Sequence, residues 1–159
     1  MAGRGNDRRV TKLIATVATL AGLAAAQSLP QNLVGVCASY LTASSPRLGG
    51  CVTAAFLVNQ GQKIYSYSTY DISLHHGAPP TAALRTGAAT VLKQFGSITI
   101  LGMAGAGPAT SPTATTLSIG GSVGAAVPLG KSHCFLMGEF QGVNTSGKAA
   151  RLVLLIPLK

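Results

Sequence analysis

Acidic residues are nearly absent from this chain: Asp7, Asp71 and Glu139 stand against 12 Lys/Arg in 159 residues, for a formal charge of +9. The basicity thus comes from missing acids rather than from abundant bases. Only two carboxylates lie beyond the opening segment, so a two-carboxylate hydrolase would need Asp71 and Glu139 to converge, and a Ser-His-Asp triad has little to draw on. No G-x-S-x-G elbow is present. Trp is missing and aromatics are 5% of the chain, which leaves no stacking platform for single-stranded nucleic acid. The three cysteines, Cys37, Cys51 and Cys134, form no CxxC pair and have no His at ligand spacing, which argues against a zinc site. Charged residues are only 9%, against about 25% in an ordinary soluble domain, so the surface must be made of Ser, Thr, Gly, Ala and Gln. From these absences we expect a non-enzymatic protein with no catalytic residue, metal, cofactor or small-molecule substrate.

What is present is apolar and glycine-rich: 47% hydrophobic residues and 20 Gly in a length suited to one domain. The cations cluster once, as Arg4, Arg8, Arg9 and Lys12. These are the candidate nucleic-acid contacts, because neutralising several phosphates together is what gives salt-dependent affinity. Arg47, Lys63, Arg85, Lys93, Lys131, Lys148, Arg151 and Lys159 are spread singly and read as solvated charges. Behind the basic cluster, residues 13–26 form an uncharged run ending in small residues before Gln27. The run is shorter than the roughly 20 residues of a transmembrane helix. It reads either as the core of a signal peptide cut near Ala26, or as a retained basic arm followed by a small-residue helix. Residues 1–30 are accordingly set apart from a domain spanning 31–159.

Cys37 and Cys51 bracket a short segment containing Pro46, Gly49 and Gly50. Two states fit them, a disulfide in an oxidising compartment or buried free thiols. His75 and His76 follow Asp71 closely, but adjacent residues on a strand point to opposite faces and cannot serve one site. The string Gly102–Gly107 lacks the helix start that a phosphate-cradling loop requires, and residues 104–114 read as a Pro/Gly/Thr loop between strands.

From Cys51 onward turn signals recur about every ten residues, which predicts β-structure. CVTAAFLV and KIYSYSTYDISL flank Asn59-Gln60-Gly61-Gln62 as a hairpin, with Tyr65, Tyr67, Thr69 and Asp71 on one face. In TAALRTGAATVLKQF, the positions Leu84, Ala88, Val91, Leu92 and Phe95 fall at helical spacing and predict one short helix. SITILGM and TTLSIGG read as strands. SHCFLMGEFQG and KAARLVLLIPLK read as a closing hairpin whose Phe140, Leu152, Leu154 and Ile156 would lie in the core. The expected fold is therefore mainly β: a single antiparallel β-sandwich or jelly roll with one short helix and an N-terminal helical arm.

The sequence LRTGAATVLKQF, the strand SITILGM, the Thr/Pro loop, the strand TATTLSIGGSVG and the terminal hairpin together resemble the β-sandwich domains of small icosahedral RNA-virus coat proteins of the tombusvirus type, over about residues 84–159. The resemblance implies a virion structural protein. Its partners would be copies of itself or other virion proteins, and viral nucleic acid through an inward arm carrying Arg4, Arg8, Arg9 and Lys12. The other expectation is a secreted or cell-surface β-rich binding or structural protein, released after cleavage of the opening segment.

Overall fold

A computed structural model describes residues 29–42, 47–75, 78–130, 132–144 and 147–158. Alternating side chains and frequent turn residues give eight strands: β1 Asn32–Thr42, β2 Arg47–Asn59, β3 Ile64–His75, β4 Ala78–Phe95, β5 Ile98–Thr110, β6 Thr115–Pro128, β7 Phe135–Val143 and β8 Gly147–Pro157. Each pairs antiparallel with its neighbours in the chain, and β1 pairs with β8 from Leu33↔Pro157 to Thr42↔Lys148, which closes the sheet into a barrel. Closure satisfies both edges of every strand.

Three expectations are corrected by this fold. A sandwich or jelly roll would divide the strands between two facing sheets, whereas here all eight pair in chain order in one continuous closed ladder. The helix expected within residues 81–95 is part of β4, hydrogen-bonded to β3 on one side and β5 on the other. The loop expected from Ala104 is also strand as far as Thr110, its small residues lying flat against β4 and β6. The β2–β3 hairpin, the starts of β5 and β6 and the closing β7–β8 hairpin stand where the sequence places them. The expected N-terminal helical arm falls outside the described residues.

The stagger of the wall sets its dimensions. Following paired residues from Asn32 through Phe56, Ser66, Ala88, Ala104, Gly121, Gly142 and Lys148 returns to β1 at Thr42, ten residues along the strand. Eight strands with that stagger tilt by about 40° and enclose a lumen of about 8 Å backbone radius, wide enough only for side chains. Both ends of the barrel chain lie at one rim, where Leu57 N donates to Gln31 O and Leu158 N to Asn32 O. We call it the terminal rim; it also carries the β2–β3, β4–β5 and β6–β7 connections. The opposite, distal rim carries the other four.

Close packing between strands depends on glycine at two lumen-facing points. A Cβ at Gly87 would stand 2.0 Å from the carbonyl oxygen of Ala104, and one at Gly105 would stand 2.7 Å from the Tyr67 hydroxyl. β4 can therefore approach β5 closely, and the Tyr67 ring can lie across the lumen.

Candidate functional site: apolar wall and charged lumen

Strand residues alternate between wall and lumen, and the alternation is inverted relative to a water-soluble β-protein. In β7 every second residue is buried, Phe135, Met137, Glu139, Gln141 and Val143, while Phe140 between them is 57% exposed. In β8, Arg151, Val153 and Leu155 are buried, whereas Leu152 and Ile156 are exposed. The expectation that Phe140, Leu152, Leu154 and Ile156 form the core is thus reversed: they share the outward phase, and the lumen takes the other one. Val36, Tyr40, Leu48, Val52, Phe56, Tyr70, Leu84, Leu117, Ile119 and Val123 are likewise exposed. Large apolar side chains exposed on strand after strand differ from the singly scattered ones of a soluble monomer.

Charge follows the opposite phase. Between the rims, the strands carry Asp71, Arg85, Glu139 and Arg151, and all four point into the lumen. Arg85 and Arg151 had been read as solvated; they are 2% and 9% exposed. Register explains how they meet: Glu139 lies directly opposite Arg151 on β7 and β8, and Thr69 opposite Arg85 on β3 and β4. Asp71 sits between the arginines, with Oδ2 accepting from Arg85 Nη2 and Oδ1 from Arg151 Nη2. Glu139 Oε1 lies 3.7 Å from Arg151 Nη1. The cluster is neutral as a whole, two cations against two anions, which is the condition for burying charge without a prohibitive desolvation cost. Its satisfaction is incomplete, since the Nε atoms of Arg85 and Arg151 and the hydroxyl of Thr69 have no partner among the described residues. Beside the cluster Gly120 lets β6 approach β7 closely: a Cβ there would stand 2.9 Å from the carbonyl oxygen of Gly142.

The lumen divides into two compartments. Toward the distal rim a cavity of about 230 Å³ opens above the charged cluster, lined by Ser39, Asp71, Arg85, Ser111, Gln141 and Arg151 among others. Toward the terminal rim the space is filled by Leu33, Leu101, Ala126, Phe135, Met137, Val153 and Leu155, with Tyr65, Tyr67 and Ala89 adjoining. Phe135 and Val153 are each 1% exposed. This apolar plug separates the distal cavity from a second cavity of about 390 Å³ at the terminal rim, lined by Gln31, Gln60, Lys63 and Gln94 among others, so the barrel is blocked across its middle.

Cys37 and Cys51, opposite each other on β1 and β2, are joined by a disulfide on the lumen side. Arg4, Arg8, Arg9 and Lys12 lie outside the described residues. Among the described residues no group of three or more His, Cys, Asp or Glu converges as a metal site. Sequence reasoning placed Tyr65, Tyr67, Thr69 and Asp71 on one face, and all four do face the lumen, but it missed the arginines that Asp71 joins. The available signal was parity: Glu139 and Arg151 fall in register across the closing hairpin and out of phase with Phe140 and Leu152.

No family model matches the chain, and no curated protein matches it. Among solved structures, the crystal structure of Neisserial surface protein A (NspA) is similar, with a TM-score of 0.51 and 11% sequence identity over 78% of this chain and 92% of that one. At that identity the likeness is one of fold. It joins the closed eight-stranded wall in replacing the coat-protein resemblance over residues 84–159 and the jelly roll that came with it.

Proposed function

We propose that this chain is a β-barrel membrane protein of an outer membrane or cell surface, held in lipid by its outer wall and built for a structural or binding role. The observation that carries the reading is the inversion of the barrel, large apolar side chains outward and every charge between the rims inward. In water this arrangement would expose the apolar surface and bury ion pairs at a cost; in a bilayer both choices become favourable. The dimensions agree. The 11 residues of β8, at about 3.3 Å each and about 40° of tilt, rise about 27 Å, close to the roughly 25 Å apolar band of membrane barrels. The solved barrel that the chain resembles is named a surface protein, which adds to the same reading.

Export fits the remaining features. The Cys37–Cys51 disulfide belongs in an oxidising compartment. Residues 13–26, with Arg4, Arg8, Arg9 and Lys12 ahead of them, then act as a secretory signal instead of a nucleic-acid arm. The apolar, weakly charged surface is covered by lipid on this reading and needs no second copy of the chain. The filled lumen favours an anchored structural or binding role over a pore.

The test is reconstitution. Unfolded protein diluted from urea into phosphatidylcholine vesicles is expected to float with them and to leave a trypsin-resistant core including β8. A protein that stays soluble and monomeric in the absence of lipid or detergent, and does not float, would contradict the proposal.

A further inference from the structure

The outer surface has an unbalanced charge. Beyond residue 30 the acids are Asp71 and Glu139, and both are committed to the lumen by Arg85 and Arg151. Every charged side chain left exposed among the described strands and turns is therefore cationic. Two of these, Lys63 and Lys93, stand at the terminal rim. Lys63 ends the β2–β3 turn, and its carbonyl accepts a 3.4 Å hydrogen bond from Val91 N on β4. Lys93 follows two residues later, just past an irregularity in the β4–β5 register between Val91 and Lys93.

Apolar surface adjoins Lys93. Lys93 Nζ stands 4.7 Å from the centroid of the Phe95 ring, and Phe95, Leu92 and Val58 are exposed at 54%, 57% and 70%. The same rim carries the amides of Gln60 and Gln94, which with Lys63 line its opening. No carboxylate stands among the described residues there to neutralise the lysines. Cations held at the edge of an apolar band attract anionic lipid headgroups, and their own stems lie along the hydrocarbon below.

We propose that the terminal rim holds the phosphate headgroup of an anionic phospholipid, with Lys63 and Lys93 as its cations and Phe95, Leu92 and Val58 against its acyl chains. The proposal rests on the membrane reading above. A choline headgroup would bring its own cation against the two lysines, so the site discriminates by net charge and not by phosphate alone.

Native mass spectrometry of the full chain refolded in detergent micelles, with phosphatidylglycerol or phosphatidylcholine added, measures the affinity of the first bound lipid. One lysine near an anionic headgroup is worth about fivefold. The wild type should therefore prefer phosphatidylglycerol by at least about fivefold, and K63Q/K93Q should bind both lipids alike. K148Q removes a cation at the distal rim and should keep the preference. Equal affinities in the wild type would overturn the site. So would a loss in K148Q as large as in the double variant, because binding would then follow overall charge. Flotation of K63Q/K93Q with phosphatidylcholine vesicles separates the two levels: insertion with lost selectivity supports the site, whereas failure of the wild type to insert sinks the membrane reading and the lipid site with it.

Discussion

Replacing Asp71 by Asn is the sharpest perturbation of the lumen, because one carboxylate holds two guanidinium groups. The change keeps the side chain's size and leaves Arg85 and Arg151 with only Glu139, itself 3.7 Å from Arg151, so the cluster goes from neutral to a net positive charge. Removing one partner of a buried ion pair costs about 3–5 kcal/mol. The Asp71 side chain is 13% exposed toward the distal cavity, and water there screens part of the loss, so we expect the lower end, about 3 kcal/mol. The Nε atoms of both arginines are already without partners among the described residues, so Asp71 is the main acceptor that the pair shares. Reversible urea unfolding in lipid vesicles, followed by far-UV circular dichroism, reads the effect as a shift in midpoint at constant slope. The double variant D71N/R85M restores neutrality with Arg151 and Glu139 alone, and should recover more than half of the loss. A cost under about 0.5 kcal/mol for D71N, or a double variant less stable than the single one, would refute the account of the cluster.

The plug and the wall make further predictions. Phe135→Ala should cost about 3–5 kcal/mol in the same unfolding assay, because the ring is 1% exposed at the centre of the apolar compartment. Gly87→Ala should cost about 1–3 kcal/mol, since its Cβ would meet the Ala104 carbonyl. Gly138→Ala, with open space at its Cβ, should stay within about 0.5 kcal/mol of wild type. Equal effects from the two glycine changes would contradict the described β4–β5 contact. Reducing the Cys37–Cys51 bond, which spans 14 residues, should lower stability by up to about 3 kcal/mol, seen as a midpoint shift on adding dithiothreitol; an unchanged midpoint with the thiols shown to be free would count against it.

Much of the strand order was legible because turn residues punctuate it. Asn59–Gln62 separate β2 from β3, and the turn after Val143 separates β7 from β8. β4 was misread for a physical reason: Leu84, Ala88 and Leu92 are four apart, and residues four apart share a face on a strand as well as on a helix. The irregularity between Val91 and Lys93 then shifts the phase, so that Phe95 also joins the outer face and completes an apparent helical stripe. β1 lies before Cys51, in residues 31–50, to which no strand was assigned although Pro46 stands just beyond its end.

The core was inverted because period-two alternation says which residues share a face and leaves open which face is wet. In β8 both faces are apolar apart from Lys148 and Arg151, which fall in opposite phases, so the strand alone does not say which face is the lumen. Arg151 was counted as a surface charge because its partners, Asp71 and Glu139, lie 80 and 12 positions away in sequence. The ion-pair cluster depends on register around a closed wall, and closure itself is set by pairing between the first and last strands. Neither has a local signature. Once the charges are placed together, the outward phase of Phe140, Leu152 and Ile156 follows.

The central claim is that alternate residues of one strand face lipid and lumen. In a Cys134→Ser background, single cysteines placed at each position from 149 to 156 and labelled with nitroxide report, in vesicles, their collision rates with oxygen, which concentrates in lipid, and with a water-soluble nickel chelate. The account predicts high oxygen and low nickel accessibility at 150, 152, 154 and 156, and low values of both at 151, 153 and 155, repeating with period two. Uniform nickel accessibility along the strand, or an oxygen maximum at 151, 153 and 155, would show that the wall of this barrel does not face lipid.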